Sequence, residues 1–177
     1  MTGLNEQFET IIDKKIIYNI LFMNEKYLLI YNNLINYTRN KDLYINLNRD
    51  DTFSDRLILF LLHFSFFLKN FKKEDNKKIL QEIYDFNFRQ LELSIREIGY
   101  GDQSINKKMK VYLNLFHAIV SDIHFWDKLS KNEKLKKLSS YLEDFKEIDI
   151  LVDYFDDFTS NLEKKTLNFF LKSVISP

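Results

Sequence analysis

Only three glycines and one proline punctuate this chain of 177 residues, and two of the glycines, Gly99 and Gly101, stand two positions apart. Glycine and proline are the residues that interrupt helices, and a chain this poor in them is expected to spend them where the backbone has no alternative. Gly99 closes a long helical pattern, where a left-handed residue ends a helix and only Gly takes that shape without steric cost. Gly101-Asp102 then turns the chain into the next helix. The turn carries Arg96, Glu97 and Asp102, a packed charge set on a constrained loop. Such loops hold function more often than packing does.

Apolar spacing is helical nearly throughout, and no stretch shows sustained strand alternation. The spacing predicts helices over about 7–22, 26–37, 53–71 and 76–98, with an irregular piece over 40–51. Asp51 or Thr52 is the expected N-cap of the third helix. Ser104 is the expected cap of a fifth helix whose stripe runs Ile105, Met109, Tyr112, Phe116, Ile119, Ile123, Trp126. Ser130 with Glu133 fits a capping box and opens a sixth helix through Leu135, Leu138, Leu142 and Phe145. A last helix carries Leu151 to Phe169. The expected fold is therefore all-α: a single compact domain, residues 1–177, of about seven helices around the central apolar third helix. Phe60, Phe66 and Phe67 lie off that helix's main stripe, and left uncovered they would form an apolar groove for another protein's helix.

Composition narrows the function. Twenty-six basic residues balance twenty-six acidic ones, so no global field favours DNA or an anionic membrane. Without cysteine there are no disulfides, thiolate zinc sites or thiol catalysis. The first residues, Met1-Thr2-Gly3-Leu4-Asn5-Glu6, lack the basic-then-apolar order of a secretory signal, which reads as a bacterial cytoplasmic protein. The longest apolar run, Leu57 to Leu68, reaches about 18 Å as a helix against roughly 30 Å of hydrocarbon, so no transmembrane segment is expected.

The three histidines, His63, His117 and His124, offer no metal-ligand spacing, and a lone His63 in an apolar helix is the pattern of a hydrogen-bonded core residue. Gly99-x-Gly101 lacks the third glycine and preceding strand of a nucleotide site, although Lys107 and Lys108 follow at a helix start. No nucleophile–base pair stands out. Neither enzyme, metal nor cofactor is expected. Two lysine groups, Lys69, Lys72, Lys73, Lys77, Lys78 and Lys128, Lys131, Lys134, Lys136, Lys137, surround helix junctions and could touch RNA or lipid headgroups. Interspersed acids make solvated faces the simpler account.

The run Ile95-Arg96-Glu97-Ile98-Gly99-Tyr100-Gly101-Asp102, followed by Lys107-Lys108, resembles the ubiquinol–cytochrome c chaperones of alphaproteobacteria and mitochondria. A second segment is similar as well: Leu43-Tyr44, then Asp51-Thr52, Arg56-Leu57 and His63, with Arg39 at the end of the preceding helix. The resemblance covers about residues 27–129. Three of the chain's five arginines fall on these motif positions. There are departures: Tyr100 replaces a small aliphatic residue, and Phe116-His117-Ala118-Ile119 stands where the family has an aromatic-Gly-Arg step.

The resemblance implies a non-enzymatic assembly factor for complex III that binds newly made, membrane-inserted cytochrome b. It would act near the ribosome exit with a small partner protein, in the cytoplasm or peripherally at the inner membrane. Asp51, Arg56, His63, Arg96, Glu97, Gly99, Gly101, Asp102, Lys107 and Lys108 would then be its motif or client-binding residues. The competing reading is a general helical interaction or scaffold domain with no respiratory role. A small-molecule enzyme on a helical bundle is the third class.

Overall fold

The computed structural model describes residues 25–46, 50, 52–142, 145 and 147–173. In chain order these form α1 (25–38), α2 (Lys41–Asn46), α3 (Phe53–Phe71), a 3-10 turn (Glu74–Asn76), α4 (Lys77–Glu97) and α5 (Asp102–Asp122). A second 3-10 turn (Trp126–Lys128), α6 (Lys131–Ser139), α7 (Ile148–Glu163) and α8 (Leu167–Phe170) follow. No strand occurs among the described residues, and the fold is all-α as the spacing predicts. The helix expected over 7–22 lies outside the described residues, as does Asp51.

Thr52 opens α3: its backbone is extended, and its hydroxyl accepts the Asp55 N–H at 3.2 Å. Every residue from Leu59 to Phe67 is buried, so the helix is covered around its full circumference. Burying one such Leu or Phe contributes about 1.5–3 kcal/mol relative to leaving it exposed, which makes this helix the principal source of the core. α5 and α7 pack on α3, α4 packs on α5, and α6 on α7.

The off-stripe aromatics are core residues, not a groove. Phe60 meets Tyr31 of α1 at 5.7 Å between ring centroids, and Phe67 meets Phe170 of α8 at 5.4 Å. Phe66 stacks on Phe155 of α7 at 4.8 Å and receives the edge of Trp126 at 5.0 Å. α8 arises because Thr166 recaps the chain, its side chain accepting the Phe169 N–H. The expected last helix is therefore two.

Three other boundaries differ. The piece over 40–51 contains α2, which buries Leu43 and Tyr44, and the Tyr44 hydroxyl donates to the Thr38 carbonyl at 2.7 Å. α5 begins at Asp102 with Gly101 as its N-cap, so Ser104 lies inside the helix. Its stripe leaves the α-helix before Trp126, which sits in the 3-10 turn and donates its indole N–H to Asp156 at 2.7 Å. The capping box at Ser130 and Glu133 forms as expected, but α6 stops at Ser139. Three of the five lysines in the second group are structural: Lys131 pairs with Asp153 (2.7 Å), Lys134 with Asp156 (2.8 Å) and Lys137 with Asp122 (2.7 Å). These pairs tie α6 to α7 and to the end of α5.

Candidate functional site

The end of α4, the glycine turn and the start of α5 assemble most of the motif residues on one end of the bundle. Gly99 has φ of 99°, the left-handed region that L side chains rarely adopt, and its N–H donates to the Arg96 carbonyl at 2.9 Å. Gly101 is different. Its φ of −72° and ψ of 157° suit any residue, and a Cβ placed there meets nothing within 4 Å. The expectation that both glycines are forced by the backbone holds for Gly99 alone.

Arg96, in the last turn of α4, binds Glu92 through Nε (3.1 Å) and Nη2 (2.8 Å), and binds Asp102, in the first turn of α5, through Nη1. Each charge also sits at the helix end that its sign favours. The ion pair bridges the glycine turn, fastening the ends of two helices to each other. Glu97 and Lys107 stand exposed. Lys108 places its ammonium over the Tyr100 ring, 4.4 Å from the centroid. The departure from the family at Tyr100 thus supplies a second contact across the turn, a cation–π pair absent from the sequence reading.

Arg56 takes another position. Together with Arg39, Tyr31, Phe53, Leu91 and Ser94 it lines a cleft of about 290 Å³ between α1, α3 and α4. Two motif arginines, Arg39 and Arg56, therefore converge across α1 and α3. Ser94, two residues before Arg96, forms the α4 wall of the same cleft, with its hydroxyl 3.2 Å from that of Tyr31. Phe53, Ile98 and Tyr100 are exposed around this end, an apolar set beside a cleft lined by two arginines. Such a combination suits a protein surface in contact with another chain.

His63 does not join them. It is fully buried, with Nδ1 at 2.7 Å from the Leu59 carbonyl and Nε2 at 2.6 Å from the Tyr154 hydroxyl. Tyr37 stacks on its ring, and Phe155 and Phe158 close the remaining sides. Burial pushes its pKa down to about 4, so at neutral pH it is an uncharged core residue. No group of three or more His, Cys, Asp or Glu side chains among the described residues could hold a metal ion.

A larger recess opens at the other end of the bundle, about 790 Å³, between the end of α3, the start of α4 and the end of α5. Its floor is Leu68, Leu80, Tyr84, Phe116 and Val120, and Lys69, Lys72, Lys73 and Lys77 of the first lysine group stand on its rim. Periodicity could not find it, because it arises where three helices diverge.

These features define a helical bundle with a cleft at one end and a larger recess at the other. Over residues 46–125, which hold α3, α4, the glycine turn and α5, the chain matches the family model described as Ubiquinol-cytochrome C chaperone. That segment carries the glycine-turn motif on which the resemblance to this family rests. No curated protein matches the chain. Among solved structures, it is similar in fold to the crystal structure of the Cbp3 homolog from Brucella abortus, with a TM-score of 0.73 and 23% identity. That likeness covers 93% of this chain and 95% of the other.

Proposed function

We propose that the protein is an assembly chaperone for the ubiquinol–cytochrome c reductase, complex III, that its client is newly made cytochrome b, and that the glycine-turn end is the contact surface. The observation that carries this reading is the family match over 46–125, whose segment includes the turn with its Arg96–Asp102 bridge. The chemistry is consistent with it. A rigid turn holds Ile98 and Tyr100 out from the bundle beside a cleft lined by two arginines, so apolar and polar surface face outward together. An apolar client segment with a polar flank needs both. Arg56, Arg96, Asp102 and Lys108 act as the frame and charge of this surface. None of the described helices is long and apolar enough to cross a membrane, so the client would be met at the bilayer surface.

Recovery of the tagged protein from detergent-solubilised membranes should enrich cytochrome b, identified by mass spectrometry. In a strain carrying Arg96→Ala with Asp102→Ala, complex III content should fall while the chaperone stays at its normal level. Both side chains are exposed, and a surface ion pair contributes little to stability, so the double variant is expected to stay folded. Normal complex III in that strain, or no cytochrome b in the recovered material, would favour a general scaffold domain instead. Disappearance of the chaperone itself would assign the bridge to stability alone.

A further inference from the structure

The recess at the opposite end of the bundle has a chemistry of its own. Its floor is apolar, and Lys69, Lys72, Lys73 and Lys77 stand along one rim. Lys69 is neutralised by Asp127, 2.5 Å away. Lys72, Lys73 and Lys77 are exposed, and none of them pairs with a carboxylate among the described residues. Glu74 is the one acidic side chain lining the recess. The contrast with the other lysine group is informative: at the α6–α7 junction Lys131, Lys134 and Lys137 are taken up by Asp153, Asp156 and Asp122. Beside the apolar floor, by contrast, three ammonium groups remain without a carboxylate among the described residues.

We propose that this recess binds an amphipathic helix of a partner protein, its apolar stripe on the floor and its flanking carboxylates on Lys72, Lys73 and Lys77. A recess of about 790 Å³ accepts several apolar side chains from one helical face. The shape also decides against a membrane. A bilayer surface is planar on this scale and would meet the lysines while leaving the floor uncovered. A helix, about 10 Å across, fills the floor and reaches the rim together. The rim lysines supply orientation and encounter rate, and the floor supplies most of the residence time.

The site is distinct from the glycine turn, so it stands or falls independently of the client reading. The test uses the full-length chain and a dye-labelled peptide of about 18 residues, roughly 27 Å long as a helix, with leucines on one face and glutamates on its flanks. Fluorescence anisotropy should show saturable binding. That binding should weaken about tenfold or more in Lys72→Glu/Lys73→Glu/Lys77→Glu, and also when salt is raised from about 0.1 M to about 1 M, which shortens the screening length from about 10 Å to about 3 Å. Replacing the peptide leucines with serine should abolish it, and a peptide with lysine flanks should not bind. Equal binding of the lysine-flanked peptide, undiminished binding by the triple variant, or no binding of the acidic peptide would each overturn the proposal. So would adsorption to phosphatidylglycerol vesicles, lost in the triple variant, without binding of the peptide; the site would then be a lipid contact.

Discussion

At Gly99 and Gly101 the same residue type, two positions apart, answers to different causes. Gly99 has open space around it, since a Cβ there meets nothing within 4 Å, so any cost of substitution comes from its φ of 99° and from no clash. Holding an L side chain in that region costs of order 1–3 kcal/mol. Gly101 caps α5 with ordinary dihedrals and without a side-chain hydrogen bond. A serine there can accept a first-turn N–H and also restricts the unfolded chain. Denaturant titration should therefore find Gly99→Ala destabilised by about 1–3 kcal/mol, with Gly101→Ser unchanged or up to about 1 kcal/mol more stable. Equal losses at both positions would show that the turn as a whole, rather than the one left-handed residue, is what the sequence protects.

Among the elements, α3 and α7 share the seam on which pH acts. His63 of α3 is held between the Leu59 carbonyl and the Tyr154 hydroxyl, with Phe155 and Phe158 of α7 against its ring. Its folded pKa, about 4, lies below the unfolded value of about 6.5. The unfolded chain then binds the proton first, so stability is fully present above about pH 6.5 and is lost as pH falls toward 4. The loss over that window amounts to about 3 kcal/mol, and its upper part, above pH 5, precedes the protonation of ordinary carboxylates. Unfolding free energies at pH 7 and pH 5 should differ by about 2 kcal/mol in the natural chain and by much less in His63→Gln. A difference of the same size in the variant would place the titrating group elsewhere.

That seam also marks what could be read in advance. The stripe of α3, the Thr52 cap and the Ser130 capping box follow from local spacing, and each formed where expected. α2 has six residues, too few for a periodic signal to emerge. The end of α5, where Trp126 turns aside to Asp156, is decided by a partner 30 residues away that no local pattern contains. The same limit applies to the site: the turn was legible because Gly99 is chemically singular, whereas the cleft at Arg56 and the recess at Val120 depend on how helices diverge.

For the whole molecule, α4 sets the distance between its two contact regions. Lys77 begins this helix on the rim of the recess, and Arg96 lies in its last turn, where it bridges to α5. Nineteen residues of α-helix separate them, about 28 Å. Charges that far apart on a surface are screened from each other at about 0.1 M salt, and substitutions without shared partners combine additively within about 0.5 kcal/mol. The region between them is packed core, including Phe64 against Phe116 and Phe88. If the two ends are separate sites, Arg96→Ala/Asp102→Ala should leave affinity for the acidic amphipathic peptide unchanged within about twofold. Added to the rim triple variant, it should produce no loss beyond that of the rim alone. Peptide affinity measured in the natural chain, each variant and their combination closes that cycle. A coupling larger than about 0.5 kcal/mol would mean that the glycine turn and the recess belong to one continuous client surface wrapped along α4 and α5.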